Sequence, residues 1–446
     1  MFERHGSRRQ AVRRVTTCVL GVALVLPTLP SAPAAAEEGW SDPQSVASSP
    51  SPDPRTTLAE TADGTVVAIT RGSDGEFRRS LRSPGGDWLP DGVFEDPDGL
   101  ELGYVEAVAV TRDSAGWFVY SVAGSSDVRV VRWAPDGARA VVGGIVDPWT
   151  TVDMVVDDEG DVLLTYGQRG GYPLSAIYGN AADGLASLDI PSWTGEQRPH
   201  QWALGPGDDV MLASRFGSAL RTVDVGRDGD STTRTLDRRS GGLADEVVAA
   251  ISPSGTQYVA WTTAPEDGPR TVHLARRPPD GAWLGGRVVA RRGESSLRQR
   301  SLEVRPTRGG AYLAWIQQLR SGSPTRDAFR IRGALVRSGR AVLAHDVAGP
   351  REAGGPEGLS DLAMQVGQRG RLLVAWTARK LGRSVVNAAR GRLRAAPVTT
   401  PLFEMDAFRE PVVLLRAAGE ATVAGTSPSD SFFTTGDVVL RSSSTD

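Results

Sequence analysis

The chain is short of cysteine, lysine and histidine, and each shortage removes a class of explanation. Cys18 is the only cysteine in 446 residues, so no disulfide can form within the chain and no cysteine cluster can hold a metal. Lys380 is the only lysine among 50 basic residues, which reads as the mark of a GC-rich genome rather than of a nucleic-acid surface, and no nucleic-acid partner is expected. There is no G-x-S-x-G elbow, no H-E-x-x-H pair, no Walker loop and no N-glycosylation sequon, so no motif announces a nucleophile, a zinc centre or a nucleotide site. Carboxylate-only chemistry is not excluded, since glycosidases need only two acids a few ångströms apart.

The longest apolar run, residues 15–29, follows Arg4, Arg8, Arg9, Arg13 and Arg14 and precedes Ala34, Ala35 and Ala36. Basic, apolar and A-x-A segments in that order describe a secretory signal peptide over residues 1–36. The run is short for a membrane span, and no span is expected once the leader is removed. The general secretory route is expected, with "SRRQAV" (7–12) as the basis of a twin-arginine alternative. Cleavage after Ala36 takes Cys18 with it, so the secreted chain would carry no thiol. It would also lose five Arg and one Glu, leaving 45 basic against 52 acidic residues. Residues 37–241 hold 17 basic and 33 acidic side chains, whereas residues 242–446 hold 28 and 19. Two readings stand: drift in solvated positions, or a surface for electrostatic docking or self-association.

What is abundant is a repeat. "GTQYVAW" (255–261), "GGAYLAW" (309–315) and "GRLLVAW" (370–376) align without gaps, and weaker copies follow Gly64, Gly116, Gly160, Gly207 and Gly419. Each unit holds four short β-prone runs; in the fifth they are 246–251, 256–261, 270–276 and 283–289, parted by "SPSG", "APEDG" and "PPDG". Short β-branched and aromatic runs bounded by Gly, Pro and Asp are strands and turns. Four antiparallel strands per unit of 40–50 residues is the pattern of a propeller blade. The "GxxYVAW" and "RRPPDGAW" cadences resemble the β-propeller repeat superfamily as seen in secreted actinobacterial proteins. They lack the WD and GH pairs of WD40 blades and the Asp boxes of sialidases. The resemblance implies an all-β, eight-bladed propeller over residues 37–446, with seven blades as the alternative. The last unit has only three strands, so "GWSDPQSV" (39–46), within a pairing segment at 38–47, is expected to supply the fourth and close the ring.

In a propeller the first strand of each blade lines the channel. The corresponding positions are Glu60, Glu106, Asp153, His200, Glu246, Glu303, Asp361 and Glu410, seven of the eight acidic. Such a ring attracts cations, and crowding of like charges raises some carboxyl pKa values. No cofactor is expected; a cation in the channel is the one bound species these residues suggest. Tyr104, Trp149, Trp193, Trp202 and Phe408 lie near the acids and suit sugar or amine stacking, or seam packing. The candidate ligand set is Glu106, Asp153, His200, Glu246, Glu303, Asp361, Glu410, Trp149 and Trp202, for a glycan, a peptide or a partner protein. A glycoside hydrolase or lyase using the same acids is the alternative. His200, His273 and His345 fall in first, third and fourth strands, too dispersed for one metal. "FEDPDGLEL" (94–102) has calcium-loop spacing but lacks two ligands. The stretch 287–305, with six Arg, is either a solvated loop or a grip for phosphate or a polyanionic glycan. Mass spectrometry of protein recovered from culture medium should find Glu37 as the first residue; a chain retaining residues 1–36 would overturn the signal assignment.

Overall fold

A computed structural model describes residues 44–49, 56–71, 76–125, 127–146, 150–157, 160–168, 175–180, 182–188, 190, 200–207, 209–217, 219–226, 230–237, 242–265, 271–291, 302–319, 328–337, 340–349, 359–380, 383–393, 397–405, 411–415, 420–426 and 436–443; for some strand residues it describes the backbone alone. Residues 1–36, read from the sequence as a signal peptide, lie outside these residues. Residues 39–446 belong to one compact unit.

The described strands form four-stranded antiparallel sheets. Seven sheets each use four consecutive strands and span residues 56–93, 102–146, 150–188, 200–237, 242–291, 302–348 and 359–405. A further sheet is composite. Its strands Val412–Leu415, Ala421–Thr426 and Gly436–Ser443 are completed by Gln44–Ser49 from the other end of the chain. Gln44 pairs with Leu440 and Ser49 with Gly436. The pairing strand runs to residue 49 rather than 47, and residues 38–43 lie outside the described set.

The first strand of each sheet lies against the first strands of its two neighbours, and the circuit closes where Thr56–Glu60 meets Val412–Leu415. The chain is a β-propeller of four-stranded antiparallel blades. The turn between first and second strands shows why the repeat begins with glycine: Gly64 and Gly255 have φ of 83° and 75°, a region closed to most side-chain-bearing residues. The second sheet departs from the sequence alignment here. Ser114, at φ 70°, takes the turn position, and Gly116 is a strand residue whose Cβ would fall 2.7 Å from Ile69. The tryptophan position, six residues after the turn, is therefore Tyr120.

The core is divided among the seams between sheets. Trp261 packs with Met211 and Ala213 of the preceding sheet, Trp315 with Tyr258 and Ala260, and Trp376 with Tyr312 and Ala314. Tyr120 takes the same part beside Val67 and Phe77. Burying a large aromatic side chain contributes on the order of 5 kcal/mol of transfer free energy, so four such plugs matter. Between the first and second sheets Phe94 stacks on Phe118 at 4.0 Å, and Phe77 meets Phe118 edge-on at 5.3 Å. The seam between the composite sheet and the first is thinner, with Ala68 and Ala424 fully buried and Leu58, Trp88 and Val412 packed around them.

Polar clamps cross several seams. Arg277 binds Asp224 of the preceding sheet with both terminal nitrogens, at 2.5 and 3.0 Å, and Gln257 donates to the same carboxylate at 2.9 Å. Arg79 donates to the carbonyls of Ala134 and Pro135 in the next sheet, at 2.9 and 3.1 Å, and its guanidinium lies 4.4 Å above the Trp133 ring.

Without Gln44–Ser49 the strand Gly436–Ser443 would present an unpaired edge beside the thinnest seam. A chain starting at residue 50 should lose on the order of 3 kcal/mol in chemical denaturation, or aggregate. A truncated protein that unfolds like the intact one and stays monodisperse would show that the strand does not close the fold.

Candidate functional site

The inner strands bring most of the sequence-identified acids to one ring. Asp153 lies in Thr150–Val156 opposite Thr165, and Glu303 in Leu302–Thr307 opposite Ala314. In each case the partner immediately precedes the tryptophan position of the second strand, so these two acids share a level. Glu106 falls at a register break beside that level, between Val105 and Ala107. Asp361 lies in a break between Ser360 and Ala363, and Glu246 in one between Ala244 and Val247, a step further out. Bulges insert a residue that the neighbouring strand does not pair, and they re-aim side chains. Asp361 also has φ 53°, a left-handed conformation that a side-chain-bearing residue adopts at a cost of roughly 1–3 kcal/mol. Five acids thus occupy a narrow band on five first strands, those of the second, third, fifth, sixth and seventh sheets.

Their environments differ. Asp153 is exposed and Glu106, Glu246 and Asp361 are half-buried. Glu303 is 7% exposed and paired with Arg305 at 3.1 Å. Arg305 in turn donates through Nε to the Met364 carbonyl of the next sheet, at 2.9 Å. Arg305 was visible in the sequence only as one member of an arginine-rich stretch, and its pairing depends on the alternation of the strand, which places residues 303 and 305 on one face. None of the five carboxylates is without a partner; together they supply charge and lining.

Two sequence assignments need correction. Glu60 ends its strand, opposite Val66 and next to the turn, so it belongs at the other end of the inner strands from the five acids of the band. Trp202 is 3% exposed and packs in the seam with Leu163, Tyr178 and Leu212; a ring so enclosed has no face for a ligand. His200 begins the first strand of the fourth sheet, but its side chain lies outside the described residues, as does that of Tyr104. Glu410, Trp149, Trp193 and Phe408 lie outside them entirely.

The remaining candidates resolve into structure. His273, on a third strand, is fully buried, with Nε2 bonded to Thr263 and Thr271 at 3.1 and 2.6 Å and its ring stacked on Trp261. His345, on a fourth strand, meets the Tyr312 hydroxyl at 3.0 Å. In the calcium-like loop, Asp96 accepts from the Tyr120 hydroxyl, from the Asp98 and Leu100 N–H groups and from Arg129. Burial pushes its carboxyl pKa up, but these donors outweigh burial and hold it below the ordinary value. The loop is an inter-blade strap, with its carboxylate committed. Of the arginine-rich stretch, residues 292–301 lie outside the described set.

No protein-family model and no curated protein sequence matches the chain. Similarity appears among solved structures. The polysaccharide lyase Uly1 shares 11% identity over 80% of this chain and 92% of its own, with a TM-score of 0.46. The WD40 domain of SCAP from fission yeast shares 8% over 88% and 94%, with a TM-score of 0.47. An endo-arabinase from Bacteroides thetaiotaomicron shares 11% over 58% and 99%, with a TM-score of 0.35. These likenesses are of fold alone: they include both lyase and WD40 propellers and single out neither activity.

The histidine environment makes a stability prediction. Burial, followed by the charge of Arg332, lowers the His345 pKa, and Asp346 only partly opposes this. The unfolded chain, with a histidine near about 6.5, therefore takes up a proton more readily than the folded one. This stabilising contribution is complete above about pH 6.5 and is lost as pH falls through the lower folded value. Denaturation midpoints between pH 7 and 5 should fall more steeply for the native protein than for His345→Asn; parallel curves would refute the assignment.

Proposed function

We propose that the protein is an exported, non-catalytic binding module that seats a glycan, a peptide or a partner protein at the end of the propeller where the inner strands begin. The supporting observation is the band of carboxylates on five inner strands, Glu106, Asp153, Glu246, Glu303 and Asp361. A band rich in carboxylates concentrates cationic and polyhydroxylated groups, and a cation is a candidate bridge between ligand and carboxylate. The seven blades of consecutive strands and the composite sheet act in this reading as one closed eight-bladed ring, the composite sheet being the last blade. Ring closure holds the acids of distant repeats in register without disulfides.

A second reading, a glycoside hydrolase or lyase, draws support from the bulges that carry Glu106, Glu246 and Asp361, since bulges recur beside active sites, and from the contrast between the enclosed Glu303–Arg305 pair and the exposed Asp153. Acids placed in unlike environments can divide proton-donor and proton-acceptor roles.

One experiment separates the two. The purified protein is screened against arrays of acidic, neutral and basic glycans and peptides, and the strongest ligand is titrated against Glu106→Gln, Asp153→Asn and Glu246→Gln. The binding-module reading expects about tenfold weaker affinity in these variants and no product after prolonged incubation. Shortened or unsaturated sugar products that vanish in one variant while binding persists would replace it with the enzyme reading. Ligand binding indifferent to all three variants would remove the site.

A further inference from the structure

At the opposite end of the inner strands, the first and second sheets flank an open cleft of about 410 Å³ lined by two equivalent hairpin turns, by Arg79, Leu81 and Asp91, and by Pro135. The turns share one construction. In the first, Asp63 Oδ1 receives the Thr61 hydroxyl and the Thr65 N–H; in the second, Asp113 Oδ1 receives the Thr111 hydroxyl and the Ala115 N–H. They differ in what happens to the second carboxylate oxygen. Asp113 Oδ2 is bound by Arg132 at 2.9 Å. Arg132 pairs with Trp117 in the strand register, and the equivalent residue of the first sheet, paired with Val67, is Leu81. Among the described residues no guanidinium binds Asp63 as Arg132 binds its counterpart, and Asp63 lines the cleft.

The other difference supplies the opposite charge. Where the first turn has Ala62, the second has Arg112, an exposed cleft residue with no ion pair or hydrogen bond among the described residues. The remaining charges are committed: Arg79 binds Asp91 at 2.5 Å as well as the carbonyls of Ala134 and Pro135. Arg79 is 3% exposed and immobilised over Trp133, so one wall of the cleft is fixed.

We propose that this cleft binds a small molecule carrying both a guanidinium and a carboxylate, the guanidinium on Asp63, where Arg132 would stand in the neighbouring sheet, and the carboxylate on Arg112, with Leu81 and Pro135 against the methylene chain. Carboxylate and guanidinium pair through parallel hydrogen bonds, and the volume lies within the range of small-molecule sites. The site does not depend on the carboxylate ring and stands or falls separately from it.

Isothermal titration at low salt with L-arginine, agmatine and the dipeptide Gly-Arg tests the assignment. L-Arginine or Gly-Arg should bind, the tighter of the two identifying a free amino acid or a peptide terminus as the source. Agmatine, which lacks the carboxylate, should bind about tenfold more weakly. Asp63→Asn keeps the turn bonds through its remaining carbonyl oxygen and should weaken L-arginine about tenfold, as should Arg112→Ala. Leu81→Arg, which supplies the missing partner from within the chain, should abolish binding while circular dichroism and melting stay native. No binding of either arginine compound at millimolar concentration, equal binding of agmatine, or binding undiminished in Asp63→Asn and Leu81→Arg would each overturn the proposal.

Discussion

A four-stranded sheet with apolar residues on both faces cannot bury either by itself, and the rest of this structure follows from that constraint. Each sheet must find two neighbours, and a row of such sheets always leaves two faces uncovered unless it closes. Here the seams hold nearly all the large side chains buried among the described residues, and four of the repeats send a second-strand aromatic residue, Trp261, Trp315, Trp376 or Tyr120, into the preceding sheet. Packing is therefore between repeats more than within them. A chain that must close on itself without a disulfide needs another latch, and strand exchange at the composite sheet supplies one through backbone hydrogen bonds.

This dependence on seams explains which parts of the fold were legible in the sequence. The spacing from turn glycine to tryptophan was readable because both ends are dictated locally: positive φ at the turn demands glycine, and the seam demands a large flat side chain six residues on. Where another residue meets the same demand the pattern fades. Ser114 replaces the turn glycine and Tyr120 the tryptophan, so the second repeat was aligned two residues out of place. Glu60 was misplaced for a related reason, since a strand's acidic residue identifies no end of the strand until its pairing with Val66 is known. Trp202 could not be separated from a ligand-facing aromatic by composition, because both uses place tryptophan beside acidic or polar neighbours.

The candidate ring was partly legible. Acids on successive first strands could be found by counting, but bulges could not, because a bulge is a relation between two strands and leaves no mark in one of them. The breaks at Glu106, Glu246 and Asp361 bring acids from slightly different distances along their strands into one band. Pairing has the same character. Glu303 and Arg305 are two residues apart in sequence, yet the significance of their contact comes from Arg305 reaching the Met364 carbonyl across a seam. The charge around the ring is thus anchored to the packing that closes it.

Repetition also makes departures informative. Equivalent turns at residues 61–65 and 111–115 solve the same backbone problem with the same Thr and Asp, so their differences need another cause. The exchange of Arg132 for Leu81 removes a cation that the turn does not need for its own geometry, since Asp63 keeps both bonds to Thr61 and Thr65. The exchange of Ala62 for Arg112 adds one that the second turn does not need either. Neither change improves a seam. Both alter the lining of one cleft, in opposite sense, one from the first sheet and one from the second. In a fold whose repeats are constrained by packing, chemistry is free to vary only where packing is indifferent, and the turns at the rim and the starts of the inner strands are such places.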